Sequence, residues 1–233
     1  DAMTIYAIIV AGGTGSRFGS SVPKQFLDLG GKPVLCHTLQ AFRDVIPLSR
    51  IVTVVSGAMT TFWKELCDTA GIDPGPIAIG GDTRWESVKN GLEALGDIDA
   101  DDIVLVHDGA RPLAGPEFIC AIAGALQSTD ADGVIPAMPL TDSIRRISAD
   151  GVSSDAVDRS RYRSVQTPQA FPAGKLAEAF AIPYRPEFTD EASMMAAAGY
   201  TDIRLVPGQE RNLKITHPVD IAIAEFFLNN GCK

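Results

Sequence analysis

Apolar, β-branched runs alternate along the chain with stretches in which apolar residues recur every three or four positions. Runs of the first kind at 6–10, 51–55, 77–79, 103–106, 134–137, 164–166 and 203–206 predict strands. Stretches of the second kind at 34–42, 59–70, 84–95, 116–128, 173–180, 191–198 and 218–229 predict helices. Within 84–95, Val88, Leu92 and Leu95 fall on one face, at spacings of four and three. Strands that are apolar throughout and separated by helices predict an α/β fold, a mainly parallel sheet covered on both faces. Ligands of such sheets bind beyond the carboxyl ends of the strands, near a switch in strand order. No internal repeat or low-complexity tract interrupts the pattern.

One segment does break the alternation. Residues 138–163 are polar and rich in turn formers, with Asp150-Gly151 between two short alternating runs. That pairing predicts a hairpin. A hairpin so polar cannot bury itself in its own domain, so the expectation is an arm reaching towards a partner subunit, the alternative being a solvated surface excursion. The expected organisation is one domain over 1–233 carrying this excursion.

Composition narrows the partners. The 233 residues are 45% hydrophobic and 21% charged, which suits a folded domain rather than a disordered chain. With 20 Lys and Arg against 29 Asp and Glu, the net charge of −9 disfavours nucleic acid and anionic membrane. A small anion held by a few focused cations remains compatible. The first residues lack a basic stretch, and the apolar run at 7–11 is too short for a signal sequence or a membrane span. Cys36, Cys67, Cys120 and Cys232 are scattered, with no C-x-x-C pair, as expected of reduced thiols in a cytoplasmic protein.

Candidate chemistry begins where the first strand ends, at Ala11-Gly12-Gly13-Thr14-Gly15-Ser16-Arg17. Glycines there let backbone N–H groups approach phosphate oxygens without a Cβ in the way. No Gly-Lys-Ser/Thr closes the loop as in a P-loop, and Phe18 occupies the sixth place of a dinucleotide fingerprint. Its cations, Arg17 and then Lys24 in Pro23-Lys24-Gln25-Phe26, suit a triphosphate attacked at its α-phosphorus, where charge builds on the equatorial oxygens. A second cluster, Val106-His107-Asp108-Gly109-Ala110-Arg111-Pro112, follows an apolar strand. Asp108 there suits a magnesium ion held through water, with Arg111 orienting the carboxylate or a phosphate; a helix cap is the plainer reading of Asp108. His107 has no acid–base partner pattern around it and is expected to be packed. A third loop, Gly80-Gly81-Asp82-Thr83-Arg84 with Ser87, opens a helix; Asp82 is either its cap or, with Gly81, part of a base pocket. No G-x-S-x-G, H-E-x-x-H or EF-hand pattern occurs.

These motifs resemble, in order, those of 2-C-methyl-D-erythritol 4-phosphate cytidylyltransferases. The resemblance continues through Val157-Asp158-Arg159, Gln166-Thr167-Pro168-Gln169, Thr189-Asp190-Glu191-Ala192 and Asn212-Leu213-Lys214-Ile215-Thr216, and runs from Tyr6 to Leu228. It implies a Rossmann-like fold with a β-arm that interlocks two subunits, and a reaction joining methylerythritol 4-phosphate to CTP with release of pyrophosphate. By position it implies that Arg17, Lys24, Arg159 and Lys214 are catalytic. Ala11, Gly12, Gly13 and Gly15 would contact the nucleotide through backbone, and Gly81, Asp82 and Ser87 would recognise cytosine. Asp108, Arg111, Ser143, Thr167 and Thr189 would bind the sugar phosphate, and Mg²⁺ would ride mainly on the CTP phosphates. The chain has Gly12 where Ala is frequent in the family and Ser143 where Thr is frequent; the amide and the hydroxyl are kept.

The implied nucleophile is a phosphate monoester, largely ionised near neutral pH because its second pKa is about 6. No general base is then required, in keeping with the absence of a convincing one among the motifs. The obstacle is repulsion between two anions, which calls for a divalent cation and a ring of basic side chains. Two alternatives stay open at this point: a ribitol 5-phosphate cytidylyltransferase, which shares several motifs, and a catalytically silent nucleotide-binding regulator.

Overall fold

In a computed structural model, which describes residues 3–13 and 22–231, all of the predicted strands and helices are present, with ends differing by no more than two residues. The strands are β1 (Ile5–Ala11), β2 (Asp28–Leu29), β3 (Lys32–Pro33), β4 (Ile51–Val55), β5 (Ile77–Ile79), β6 (Ile103–Asp108), β7 (Gly133–Pro139), β8 (Arg145–Ile147), β9 (Ser154–Ala156), β10 (Arg163–Val165), β11 (Gln169–Pro172) and β12 (Ile203–Pro207). The helices are α1 (Val34–Arg43), α2 (Thr60–Ala70), α3 (Arg84–Ala94), α4 (Pro116–Gln127), α5 (Ala173–Ala179), α6 (Glu191–Ala197) and α7 (Pro218–Asn230).

The main sheet has the order β10-β7-β11-β6-β1-β4-β5, with β12 also paired to β7. Strands β6, β1, β4 and β5 are mutually parallel, as is β12 with β7, while β10 and β11 run antiparallel to their neighbours. The chain leaves β1 for β4 on one side and returns to β6 on the other, so the strand order switches at β1. Register then fixes what meets there: Val10 lies opposite Asp108, and Ala11 opposite Val55.

Both faces of these central strands are buried, and the period of two divides them between two cores. Ala7, Ile9 and Ala11 of β1, Ile51 and Val55 of β4, and Ile103 and Leu105 of β6 pack with α1, α2 and α4. Ile8, Val52, Val54, Val104 and Val106 pack on the other face with Val88 of α3 and with residues of α5 and α6. Leu92 and Leu95, expected beside Val88, are partly buried against this second core. A smaller cluster of Leu29, Val34, Ala110, Leu113, Ile215 and Ala224 ties α7 to the strand ends.

The sequence pattern misses β2, β3 and β11. Two-residue strands show no periodicity, and β11 begins on a polar Gln169 and ends on Pro172, although Gln169, Ala170 and Phe171 are all fully buried. The predicted hairpin is present: β8 pairs antiparallel with β9, and Gly151 in the turn has φ 72°. No residue from 139 to 165 is buried, so the excursion adds nothing to the core.

Gly91 sets how closely α3 approaches the sheet. A Cβ there would lie 2.6 Å from Ile8 Cγ2 and 2.9 Å from Val54 Cγ2, both inside the second core. Gly91→Ala is therefore expected to destabilise the protein by about 1–3 kcal/mol, overpacking outweighing the roughly 1 kcal/mol that alanine gains in helix propensity. Urea denaturation checks this; a variant more stable than the parent would contradict it.

Candidate active site

The ends of β1, β4, β5 and β6 open into a cleft of about 600 Å³ at the switch in strand order. Ala11, Gly12, Gly13, Lys24, Gly81, Asp82, Ser87, Asp108 and Lys214 line it, so the structure gathers these residues from five separate motifs. Gly15 and Arg17 lie outside the described residues.

Each wall has a local cause. The Gln25 side chain is buried, and its Nε2 donates to the carbonyl oxygens of Ala11 (2.7 Å) and Gly13 (3.0 Å). It thereby staples the start of the glycine-rich loop and seats Lys24 beside it. On the opposite wall the cap of α3 is Thr83 rather than Asp82. The Thr83 hydroxyl accepts from Glu86 N at 3.1 Å, and Glu86 Oε2 accepts from Thr83 N at 3.0 Å. This leaves Asp82 exposed on the cleft wall. The Ser87 hydroxyl donates to the Thr83 carbonyl (2.9 Å) and accepts from Gly81 N (3.2 Å), which shapes the loop that Gly81 presents.

Asp108 forms the floor. One carboxylate oxygen faces Arg84 Nη2 at 3.4 Å; the other faces Lys214 Nζ at 3.1 Å and Arg111 Nε at 3.2 Å. The helix-cap reading of Asp108 is thus replaced by an ion cluster. Burial pushes the Asp108 carboxyl up, but Arg84, Lys214 and Arg111 together hold it well below the usual carboxylate range. Arg84 is disfavoured as a cation by burial, yet Glu191 and Asp108 outweigh that and its pKa rises. Arg111 also donates to the Asn212 carbonyl at 2.8 Å, so it fixes both Asp108 and the strand of chain leading to Lys214.

Behind Asp108 runs a relay of hydrogen bonds. The Asp108 backbone N–H donates to Thr167 Oγ1 at 3.0 Å, which commits the Thr167 hydroxyl proton to His107 Nδ1 at 2.9 Å. His107 Nε2–H then donates to the Arg111 carbonyl at 3.0 Å. These partners fix the imidazole as the neutral Nε2–H tautomer. His107 is fully buried against Phe42, and burial pushes its pKa down to about 4. His107 is packed, as expected, and Thr167 positions Asp108 from beneath instead of facing the cleft.

Ser143, Arg159 and Thr189 are exposed and do not line the cleft. Ser143 and Arg159 lie at the root of the arm, where Arg159 donates to the Thr141 carbonyl. Thr189 precedes Asp190, the cap of α6. Three contributors escaped sequence reasoning: Gln25, Arg84 and Glu191. Arg84 carried a usable signal, since a cation in the first turn of a helix opposes the helix dipole and calls for another reason to be there.

As for a metal, no group of three or more His, Cys, Asp or Glu side chains is placed to hold one among the described residues. Both oxygens of Asp108 are already engaged by cations. A hard divalent ion here would therefore need phosphate oxygens for its direct ligands.

Comparison with known proteins gives a consistent result. The family model for 2-C-methyl-D-erythritol 4-phosphate cytidylyltransferase matches residues 5–230. The 2-C-methyl-D-erythritol 4-phosphate cytidylyltransferase of Bacteroides fragilis is 42% identical over 223 residues, covering 95% of this chain and 98% of that protein. The crystal structure of 4-diphosphocytidyl-2C-methyl-D-erythritol synthase from Anaerococcus prevotii has a TM-score of 0.79 at 27% identity, covering 97% of this chain and 96% of that one. That of 2-C-methyl-D-erythritol 4-phosphate cytidylyltransferase from Thermus thermophilus has a TM-score of 0.72 at 29% identity, covering 97% and 100%.

The buried imidazole makes stability depend on pH in a defined window. The unfolded chain protonates His107 near pH 6.5 and the folded chain only near 4, so the stabilisation is complete above 6.5 and lost as pH falls towards 4. The loss attributable to His107 is about 3 kcal/mol. Denaturation curves of the parent and of His107→Gln across this window should differ in slope, the variant falling less steeply; parallel slopes would refute the assignment.

Proposed function

The chain belongs to the 2-C-methyl-D-erythritol 4-phosphate cytidylyltransferase family, and we propose how its own residues carry out that family's reaction. The reaction is transfer of CMP from CTP to 2-C-methyl-D-erythritol 4-phosphate in isoprenoid biosynthesis. The observation that carries the assignment of roles is the convergence of Lys24, Arg84 and Lys214 on one cleft at the end of the glycine-rich strand. The ribitol phosphate and silent-binder alternatives are not favoured, because the family match spans nearly the whole chain and relatives such as the 42% identical one bear the methylerythritol phosphate name.

The triphosphate lies against the backbone of Ala11, Gly12, Gly13 and Gly15, with its base between Gly81, Asp82 and Ser87. A phosphate oxygen of the acceptor attacks the α-phosphorus, the bond to the β-phosphate breaks, and pyrophosphate leaves with its electron pair. No proton need be removed from the nucleophile, and His107, neutral and buried, takes no part. Lys24 and Arg17 stabilise the charge that builds on the α-phosphoryl oxygens. Lys214, braced by Asp108, attracts the acceptor phosphate. A divalent cation, magnesium in this proposal, would be held by the CTP phosphates on the side of Asp108 and would lower the repulsion between the two anions. Arg111 and Thr167 serve the acceptor side by holding Asp108, while Thr189 and Ser143, outside the cleft of a single chain, would reach the acceptor only in the assembled dimer.

Support for a homodimer comes from the arm. A two-stranded hairpin with no buried residue is marginal in water by itself. It exposes Ile147 (62%), Val152 (88%) and, at its root, Tyr162 (49%). Covering these by a second copy brings Arg159 to the partner's acceptor site, where a planar guanidinium suits a phosphate. With no helix among the described residues long and apolar enough to cross a membrane, and no substrate that requires one, the proposed location is the cytoplasm.

The direct test is pyrophosphate release from CTP in the presence of magnesium, with methylerythritol phosphate and ribitol phosphate offered separately. Release only with the former is expected. Under the same conditions Lys24→Ala should lower kcat by about 10²–10³ with little change in the KM for CTP, as for loss of one oxyanion donor. Near-normal kcat with a raised KM would reassign Lys24 to uniform binding.

The shared site is tested by mixing subunits. Arg159→Ala and Lys24→Ala homodimers should both be poor, whereas each mixed dimer would hold one doubly defective site and one intact site. Activity should reappear, up to about half per mixed dimer. Absence of recovery after verified exchange would place Arg159 in its own chain's site.

A further inference from the structure

Glu191 is a buried carboxylate beside the cleft that the reaction above leaves without a role. It opens α6, is only 3% exposed, and pairs with Arg84 Nη1 across 107 positions of sequence. Its other oxygen, Oε2, is buried with no hydrogen-bond partner. The nearby indole does not serve it, since Trp85 Nε1 is engaged with Met194 Sδ at 3.1 Å. A buried carboxylate with one unmatched oxygen is destabilising, and its persistence calls for an explanation.

Arg84 supplies one. Its guanidinium is held at one end by Glu191 and at the other by Asp108, and its side chain, 31% exposed, forms part of the cleft wall beside Gly81 and Ser87. Without Glu191, this long cation at the rim of an open cleft would keep only its 3.4 Å contact with Asp108, and each nucleotide bound would have to restore its direction. We infer that Glu191 is a positioning residue for CTP binding, acting through Arg84, which it holds in place for the nucleotide. The inference rests on the reading of the cleft as the CTP site. Burial pushes the Glu191 carboxyl up and Arg84 pulls it back, so the charge on Glu191 depends on that one partner.

The acceptor side meets this pair only through Asp108, which keeps its contacts with Arg111 and Lys214 when Arg84 shifts. Asp190 holds the start of α6 through its own bonds, accepting from Ser193 N at 2.9 Å and from Gln169 Nε2 at 2.9 Å. Thr189, immediately before it, therefore keeps its place when the Glu191–Arg84 pair is broken. Loss of Glu191 should weaken CTP and spare the acceptor, a split that a general loosening of the fold would not produce.

The experiment compares parent, Glu191→Gln, Arg84→Met and the double variant, measuring kcat, both KM values and the melting temperature. Glu191→Gln is expected to raise the KM for CTP about tenfold, leaving kcat and the KM for methylerythritol phosphate within about threefold. In the Arg84→Met background the same substitution should leave the KM for CTP unchanged within about twofold, while the double variant melts above Arg84→Met because the orphaned buried carboxylate is gone. An unchanged KM for CTP in a Glu191→Gln protein of lowered melting temperature overturns the inference and leaves a structural role only. An equal rise in KM in both backgrounds also overturns it, since Glu191 would then act without Arg84. A parent chain that releases no pyrophosphate overturns the reading of the cleft, and the inference with it.

Discussion

A single buried carboxylate, Asp108, organises the site. Its neighbours in space come from the start of α3, the loop after β6 and the segment before α7, and each is drawn in as a cation: Arg84, Arg111 and Lys214. Mutual repulsion would drive three such charges apart at the mouth of an anion site. With Asp108 among them they can share it before any substrate arrives. The Asp108 backbone is in turn held by the Thr167 hydroxyl, which is itself bonded to His107, and the neutrality of that imidazole prevents a fourth positive charge from crowding the cluster. The cleft is therefore preorganised by charge balance as much as by packing, and its cations need little rearrangement when phosphate enters.

The placement of that carboxylate follows from the sheet. Because the order switches at β1, the glycine-rich end of β1 and the acidic end of β6 emerge side by side, with Val10 opposite Asp108. The two cores that clamp β1 from either face hold this register, since a slip by one residue would exchange Ile8 and Ile9 between cores of different shape. Packing deep in the sheet thus sets the distance between the glycine-rich end of β1 and the ion cluster.

Much of this was legible in the chain. Continuous apolar runs such as 51–55 and 103–106 marked buried strands, and amphipathic spacing marked every helix, because burial on two faces or one leaves a direct trace in residue order. The motif residues around Gly12, Lys24, Gly81, Asp108 and Lys214 were likewise visible, and the cleft brings them together. Long-range pairing was not. Nothing in local order says that Arg84 meets Glu191, that Thr167 turns its hydroxyl towards His107, or that Thr83 takes the cap position in place of Asp82. Those outcomes depend on which elements become neighbours, as does β11, whose polar start is buried only because it lies between β6 and β7.

The excursion at 138–163 separates two kinds of constraint that most of the chain must satisfy together. Elsewhere a residue answers to folding and function at once. The arm shares no residue with any core, so changes in its length or composition leave the architecture of the domain untouched. Drift there is not screened by the stability of the body that carries it. The cleft and this appendage can therefore change at different rates.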